Sequence, residues 1–274
     1  MTSDVPLPPI ELRRAVGPTD PSWFENQTGR GALDDVEMPG KPALDYTRVL
    51  DFGCGCGRLA RQMMLQRHPP DEYCGLDLNK AAIEWCAENL SPHRSRFTFR
   101  HLDIRNPQFN PNAAHERVPL LVPMDHYTLV IAHSVFTHII ERDVEFYFEE
   151  CAAALALDGL FWSTWFVFDK RYFPVLQSFQ NSLYINLQDP SNAVWYDVGF
   201  INDLHRKNDL RIFSIAVPDV RGFQYCVLAR KGDTRPAVQF PEDLAPVGIA
   251  RPPINSSLDG ELSDALRKKT NLGI

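Results

Sequence analysis

Three glycines at alternate positions stand between an apolar stretch and a helix-like pattern. The segment Val49 to Arg58 reads VLDFGCGCGR, with glycine at positions 53, 55 and 57. Glycine lets a backbone come close to a ligand, and amide groups at the start of a helix can face it. The G-x-G-x-x-G pattern of dinucleotide-binding turns would need a glycine at Arg58. Since a tight strand-to-helix turn also uses glycine for conformational reasons, the turn alone indicates a ligand site only weakly.

Three aspartates follow the apolar stretches that we expect to form neighbouring strands. Asp51 precedes the glycines, Asp77 ends the second predicted strand in the segment GLDL, and Asp103 ends the third in the segment HLDI. In an open α/β sheet, ligands bind beyond the carboxyl ends of the strands. A carboxylate there accepts charge-assisted hydrogen bonds from hydroxyl and amino groups. The alternatives are structural, since Asp77 could cap a helix and Asp103 could start a turn.

The elements that must position these groups are predicted from hydrophobic periodicity. Apolar runs and turn signals predict strands, and apolar residues at helical spacing predict helices between them. The predicted strands are RVLDFG from Arg48, 72–78, 96–103, 127–134, 160–168, 210–218 and 223–231, and the predicted helices run to about Arg67 and over 79–90 and 141–157. Asn79 is the expected N-cap of the second helix, and Asp158-Gly159 is the expected turn after the third.

This order of elements predicts an α/β fold with helices covering a sheet. We expect a Rossmann-like, doubly wound, mostly parallel seven-stranded sheet that ends in an antiparallel C-terminal hairpin around residues 219–222. Residues 1–47 are predicted to be an arm or cap, residues 48–230 the main domain, and residues 231–274 a tail with one short helix at 261–269.

The segments VLDFGCGCGR, GLDL, HLDI, LVIAHSVFTHI and LALDGLFWSTW, taken together, resemble the successive motifs of the class I S-adenosylmethionine-dependent methyltransferases. The resemblance covers roughly residues 48–168. It implies an enzyme that uses S-adenosyl-L-methionine as its cofactor and transfers its methyl group. The family topology also includes the terminal hairpin.

The resemblance implies a role for each of the strand-end residues. Gly53, Gly55 and Gly57 would pass under the methionine part of the cofactor, and Asp51 would hold its amino group. Asp77, with Leu78 beside it, would contact the ribose hydroxyls. Asp103 would contact the adenine amino group, with Leu102 or Ile104 against the ring. His133 would form part of the cofactor wall.

The segment VFTHI after the fourth strand resembles the part of small-molecule methyltransferases that lines the methyl-donating end of the site. A hydroxyl acceptor needs a base, and His138 or His133 could take its proton, although either could instead be a wall or packing residue. An Asn-Pro-Pro-Tyr type motif is absent after this strand, which argues against nucleobase amines as acceptors. Aromatic residues are dense between 168 and 200 and predict either a cap over the acceptor or packing on the sheet.

These features favour methylation of a small organic molecule, at an oxygen of a sugar, a polyketide or another secondary metabolite. A protein or peptide acceptor and a catalytically silent cofactor-binding scaffold module are the alternatives. Nicotinamide-dependent oxidoreduction fits Asp77 but not the glycine spacing.

The composition limits the partners of the chain. The 28 basic and 35 acidic residues give a net charge of −7, which disfavours nucleic acid. The start of the chain lacks signal-peptide features, and no apolar run approaches membrane-spanning length, so we expect a cytoplasmic protein that binds no membrane. The six cysteines form no C-x-x-C pair, which favours reduced thiols and no metal site. The oligomeric state is left open, with a homodimer as one alternative.

Overall fold

The computed structural model describes residues 4–17, 19–173, 175–186, 188–219 and 223–244. The helices are α1 (Ile10–Ala15), α2 (Arg58–Met64), α3 (Lys80–Asn89), α4 (Glu141–Ala154) and α5 (Val198–Lys207). The strands are β1 (Arg48–Phe52), β2 (Glu72–Asp77), β3 (Phe97–His101), β4 (Tyr127–Ala132), β5 (Leu155–Phe168), β6 (Ser182–Tyr184), β7 (Val194–Asp197), β8 (Leu210–Ala216) and β9 (Gln224–Lys231).

The strands form one mixed sheet, in which β3, β2, β1, β4 and β5 are neighbours in that order and run parallel. The strand β9 pairs antiparallel with β5, and β8 pairs antiparallel with β9. The mostly parallel Rossmann-like sheet and its antiparallel C-terminal hairpin are therefore confirmed. The described part of the sheet has nine strands rather than the predicted seven, because β6 and β7 are added between β5 and α5.

The long strand β5 explains where the two additional strands lie. One edge of β5 pairs with β9 over residues 160–166. The other edge pairs first with β4, through residues 160–163, and then with β7, through residues 166–168. The strand β7 therefore lies just beyond the carboxyl end of β4, which is the edge of the sheet where ligands bind in this architecture.

Several predicted element ends differ from the structure. The predicted helix over 141–157 ends at Ala154, and β5 begins at once, at Leu155. The predicted turn at Asp158-Gly159 lies within β5, where Asp158 has a φ of 61° and the pairing with β4 shifts register. Helix α2 ends at Met64 rather than Arg67, and β4 ends at Ala132 rather than residue 134.

The predicted cap of α3 agrees with the structure, and the third predicted strand is present but shorter. The side chain of Asn79 accepts a hydrogen bond from the backbone of Ala82 and caps α3 as predicted. The strand predicted over 96–103 is shorter, at Phe97–His101. The tip of the predicted hairpin and the predicted helix over 261–269 lie outside the described residues. Within the described ranges, no helix has the length and apolar character needed to cross a bilayer.

The N-terminal arm packs against α2 through one buried arginine. The Arg61 side chain donates to the carbonyl oxygens of Pro6 at 3.0 Å and Phe24 at 2.6 Å, and it pairs with Glu25 at 3.0 Å. A buried guanidinium is stable only when its donors are used, so this arrangement holds the arm to the domain. The arm thereby comes to lie over the glycine turn.

Candidate active site

A cavity of about 770 Å³ opens at the carboxyl ends of β1, β2 and β4. This volume lies in the range of roughly 300–1,000 Å³ that is typical of small-molecule sites. Of the residues predicted for the site, Asp51, Gly53, Gly55, Asp77, Leu78, Ile104, His133 and His138 all line this cavity. The structure therefore brings most of the predicted cofactor residues and both histidines to one place.

The glycine turn is required here by backbone conformation and by close approach. Gly53 has a φ of 83°, and a Cβ at this position would lie 2.2 Å from Cγ2 of Val135. Gly55 has a φ of 55°, and a Cβ would lie 2.3 Å from Cγ1 of Val16 in the arm. Both values of φ lie in the left-handed region, where side chains are strained. At Gly53 and Gly55 the turn therefore presents backbone, and no side chain, to the cavity.

Two predicted site residues do not line the cavity. A Cβ on Gly57 would meet Leu90 at 2.6 Å and Cys86 at 3.0 Å, so this glycine allows α2 and α3 to pack closely. The carboxylate of Asp103 accepts from the side chain of Asn110 at 3.4 Å and from the backbone of Ala114 at 3.5 Å. The cofactor contacts assigned to Gly57 and Asp103 stay predictions that this geometry does not support.

Asp77 joins the ends of two strands through its carboxylate. One oxygen accepts from the Gly55 amide at 2.8 Å, and the other accepts from the Asn79 amide at 2.7 Å. Burial raises the pKa of Asp77, and these backbone hydrogen bonds oppose the rise. Each carboxylate oxygen has a second lone pair, so Asp77 fixes the glycine turn and can still accept hydrogen bonds from a diol.

Asp51 lies deeper, at the floor of the cavity. Its side chain is only 2% exposed and accepts a hydrogen bond of 2.5 Å from the hydroxyl of Tyr73. Burial raises the pKa of Asp51 to about 7, and the hydrogen bond from Tyr73 opposes the rise. A cationic group entering the cavity would stabilise the ionised form of this carboxylate.

His138 is oriented by the segment between β6 and β7. It ends a short 3-10 helix at Phe136–His138, and its Nδ1 lies 3.1 Å from the carbonyl oxygen of Ser191. A carbonyl oxygen only accepts, so Nδ1 is the donor, and in a neutral ring Nε2 is left as the acceptor. The tautomer held by Ser191 is the one that can take a proton at Nε2.

A ring of three side chains holds the backbone after β4. The Ser134 amide donates to Oγ1 of Thr164 at 2.7 Å, and that hydroxyl donates to Oε1 of Gln224 at 2.6 Å. The Gln224 amide group then donates to Oγ of Ser134 at 2.9 Å. Ser134 has a φ of 58°, a strained value for a residue with a side chain. The ring therefore holds the strained residue that lies between His133 and Val135.

Two parts of the cavity wall were not among the residues predicted to bind the cofactor, although residues 1–47 were expected to form an arm or cap. Arm residues Leu12, Arg14, Ala15, Val16 and Gly17 line the cavity, although the sequence shows no pattern that connects residue 16 with residue 55. Arg58 also lines it, and its place directly after the glycine turn was the available signal.

The aromatic segment over 168–200 divides between the two roles that the sequence left open. Tyr196 is buried in β7, and its hydroxyl donates to the carbonyl oxygen of Ile139 at 2.5 Å. The short 3-10 helix Pro190–Asn192 instead lines the cavity. In contrast, Phe179 is 78% exposed and contributes to neither. The segment therefore extends the sheet and also forms part of the cavity wall.

The family model described as "Methyltransferase domain" matches residues 50–161. Among solved structures, the chain is similar to an S-adenosylmethionine-dependent methyltransferase from Methanosarcina mazei, with 16% identity, 69% of this chain and 94% of that chain covered, and a TM-score of 0.46. It is similar to one from Mesorhizobium loti, with 15% identity, coverage of 70% and 94%, and a TM-score of 0.46. It is also similar to human N-acetylserotonin methyltransferase, with 16% identity, coverage of 68% and 48%, and a TM-score of 0.45.

The matched segment contains the glycine turn, the strand-end carboxylates Asp51 and Asp77, and both histidines. The functional assignment depends on the family match and on the motifs that it covers. Residues 50–161 of the chain therefore match a methyltransferase domain, and the motifs in this segment are similar to those of the class I S-adenosylmethionine-dependent methyltransferases, whose cofactor is S-adenosylmethionine.

Proposed function

We propose that the protein methylates a hydroxyl group of a small organic acceptor and that His138 is the general base. The observation that carries this proposal is the hydrogen bond from His138 Nδ1 to the Ser191 carbonyl oxygen, inside the cavity that also holds the cofactor residues. An orienting contact on one ring nitrogen is the usual arrangement for a histidine that accepts a proton at the other.

The cavity residues fit the cofactor in charge and in shape. The backbone of Gly53 and Gly55 borders the cavity, and a Cβ at either position would collide with Val135 or Val16, so the turn that borders the cavity requires glycine. Asp51 and Asp77 are acceptors for an ammonium group and for ribose hydroxyls, respectively. S-adenosylmethionine, when bound, would supply a methyl carbon to which the acceptor oxygen forms a bond as the carbon–sulfur bond breaks and the neutral thioether leaves. The task of the protein is then alignment, exclusion of water and removal of one proton.

The size of the cavity and its covering favour a small acceptor. The arm covers one side through Val16, and the segment Asp189–Asn192 covers another. The side chain of Asn106 lies 3.4 Å from Oγ of Ser191, so the loop after β3 and the segment before β7 meet across the cavity. A covered site of this volume suits a sugar or a secondary metabolite better than an extended peptide.

The experiment combines methyl-labelled S-adenosylmethionine with a panel of phenols, sugars and hydroxylated polyketides, and it compares them with peptides and amines. We expect labelled methyl ethers, detected by mass spectrometry, from members of the hydroxyl panel. Replacing His138 by Asn should lower kcat by about 100-fold or more while the Kd for S-adenosylmethionine stays within about twofold.

A His133→Asn variant is the matched comparison, because His133 lines the same cavity. If His138→Asn retains full turnover, then His138 is a wall residue and the assigned base is wrong. Label that appears only in peptides or amines would contradict the small-molecule hydroxyl acceptor.

A further inference from the structure

Two exposed arginines line the same cavity as His138 and share one carboxylate. Arg105 lies in the loop after β3, and Arg142 lies in the first turn of α4. Nη1 of Arg105 is 3.4 Å from one oxygen of Glu116, and Nη2 of Arg142 is 3.5 Å from the other. Charge-assisted N–H···O bonds are usually about 2.7–2.9 Å long, so both of these contacts are weak. Glu116 therefore holds neither guanidinium group tightly.

A neighbouring ion pair shows how a structural arginine behaves in the same part of the chain. Two nitrogen atoms of Arg117 donate to one oxygen of Asp143, at 2.6 Å and 3.1 Å, and its guanidinium lies 4.9 Å from the ring centroid of Phe146. The Asp143 residue is 8% exposed, whereas the side chains of Arg105 and Arg142 are both 61% exposed. The pair formed by Arg117 is short and partly buried, while the two exposed arginines make long contacts that a ligand can replace.

These ion pairs form one cluster with an excess of positive charge. The cluster contains three guanidinium groups and two carboxylates, those of Arg105, Arg117, Arg142, Glu116 and Asp143. Asp143 lies 3.3 Å from Nη2 of Arg142, so each carboxylate serves two arginines. Asp189 also lines the cavity, but its carboxylate accepts from Oγ of Ser191 at 2.7 Å and, among the described residues, makes no ion pair with the cluster. An anion from outside the chain would neutralise the excess charge of the cluster.

The cluster lies next to the segments that position the proposed base. Asn106 follows Arg105 directly, and its side-chain amide donates to Oγ of Ser191 at 3.4 Å. The carbonyl oxygen of Ser191 in turn accepts from Nδ1 of His138. Arg142 comes four residues after His138, and both line the cavity. The arginines therefore border the part of the cavity in which an acceptor hydroxyl would meet His138.

We propose that Arg105 and Arg142 bind a carboxylate or phosphate group of the methyl acceptor, and that Glu116 pairs with them until this group enters. A guanidinium group matches the oxygen atoms of both anions and can hold them through paired N–H···O bonds. The acceptor class is thereby narrowed to hydroxylated acids, such as hydroxybenzoates, uronic acids and phosphorylated hydroxyl compounds. This inference rests on the proposed function, because it places the anionic group on the molecule whose hydroxyl is methylated.

The test is calorimetric binding of matched probes to the 274-residue chain in the presence of S-adenosylhomocysteine. The phenolic probes are para-hydroxybenzyl alcohol, para-hydroxybenzoate and para-hydroxyphenyl phosphate, and the sugar probes are glucose and glucuronate. In at least one of the sets we expect an anionic probe to bind about 10-fold or more tightly than its neutral partner. The phenolic set shows whether a carboxylate or a phosphate is preferred.

Variants of the two partners should change the affinity in opposite directions. Arg105→Gln should weaken binding of the preferred anion by about 10-fold and binding of its neutral partner by less than about threefold. Glu116→Gln should strengthen binding of the anion by about threefold or more, because it removes the carboxylate that competes for both guanidinium groups. Arg94→Gln is the matched control, because it removes the same charge from an exposed position outside the cavity, and it should leave every affinity within about twofold. Circular dichroism of each variant checks that the fold is intact.

Equal affinities for the charged and neutral probes, or no binding of any anionic probe at millimolar concentration, would overturn the proposal. Weaker anion binding in both Arg105→Gln and Glu116→Gln would also overturn it, since the ion pairs would then only hold the loop in place. If neutral and anionic hydroxyl compounds are methylated equally well, this proposal fails and the methylation stands. If the anionic probes bind as expected and no hydroxyl compound yields a methyl ether, the proposed methylation fails and the anion site stands.

Discussion

Burial gives the carboxyl group of Asp51 a pKa of about 7, so it changes charge in the neutral range. In the ligand-free protein the raised pKa means that ionised Asp51 costs stability, increasingly as pH rises from the ordinary aspartate value through 7. A cationic cofactor reverses this balance, because it favours the ionised form and lowers the pKa. Below pH 7 its binding must therefore displace a proton.

We accordingly expect the affinity for S-adenosylmethionine to rise by roughly eightfold between about pH 6 and pH 7.5. Calorimetry at pH 6 in two buffers of different ionisation enthalpy should show proton release on binding. In Asp51→Asn both effects should disappear. A flat pH profile with no proton release in the unmodified protein would remove Asp51 from contact with the cationic group.

At the scale of single residues, the sequence was informative where a motif identified both position and residue type. Asp51 and Asp77 were predicted for the site because each follows a recognisable strand, and both line the cavity. Asp103 also ends a predicted strand, but its carboxylate accepts hydrogen bonds from Asn110 and Ala114 in the loop over 110–114. No local pattern reports that contact, since Asn110 and Ala114 come from a segment without periodicity.

Among the elements, β4, β5 and β9 meet in the hydrogen-bonded ring of Ser134, Thr164 and Gln224. Replacing Thr164 by Val keeps its shape and removes the hydroxyl that both donates and accepts. We expect the free energy of unfolding to fall by about 1–3 kcal/mol, because buried partners lose their hydrogen bonds. Denaturant unfolding measures this loss.

Ser134→Gly provides the matched second change. Glycine adopts a φ near 58° without strain, so the double variant should be more stable than Thr164→Val alone. If adding Ser134→Gly to Thr164→Val lowers the stability further, the ring does not compensate for backbone strain at this position.

The boundaries of elements were harder to predict than their order. Leu155, Ala156 and Leu157 continue the helical periodicity of α4, so the sequence extended that helix to residue 157. In the structure these residues already belong to β5, where Leu155 pairs with Tyr127 and the register shifts before Leu160. Such a shift depends on pairing with another strand, which local periodicity does not contain. The short strands β6 and β7 were missed because three or four residues give too little alternation to identify.

In the whole molecule, the cavity is assembled from segments far apart in the sequence. The alternation of strands and helices was enough to predict the sheet and the edge at which the site lies. It was not enough to place the arm over the glycine turn, because that depends on Arg61 and three backbone carbonyl groups. The sequence therefore predicted an arm and an aromatic cap, but their positions over the site depend on tertiary contacts.

The cavity beneath the arm is expected to bind S-adenosylmethionine, and calorimetry with the 274-residue chain measures this binding. Titration with S-adenosylmethionine, S-adenosylhomocysteine and NAD should show micromolar or tighter binding of both adenosyl compounds and no binding of NAD. Asp77→Ala should weaken the adenosyl compounds by about 10- to 150-fold, and exposed Glu88→Ala on α3 should leave them unchanged. Binding of NAD with no binding of either adenosyl compound would show that S-adenosylmethionine is not the ligand of this cavity.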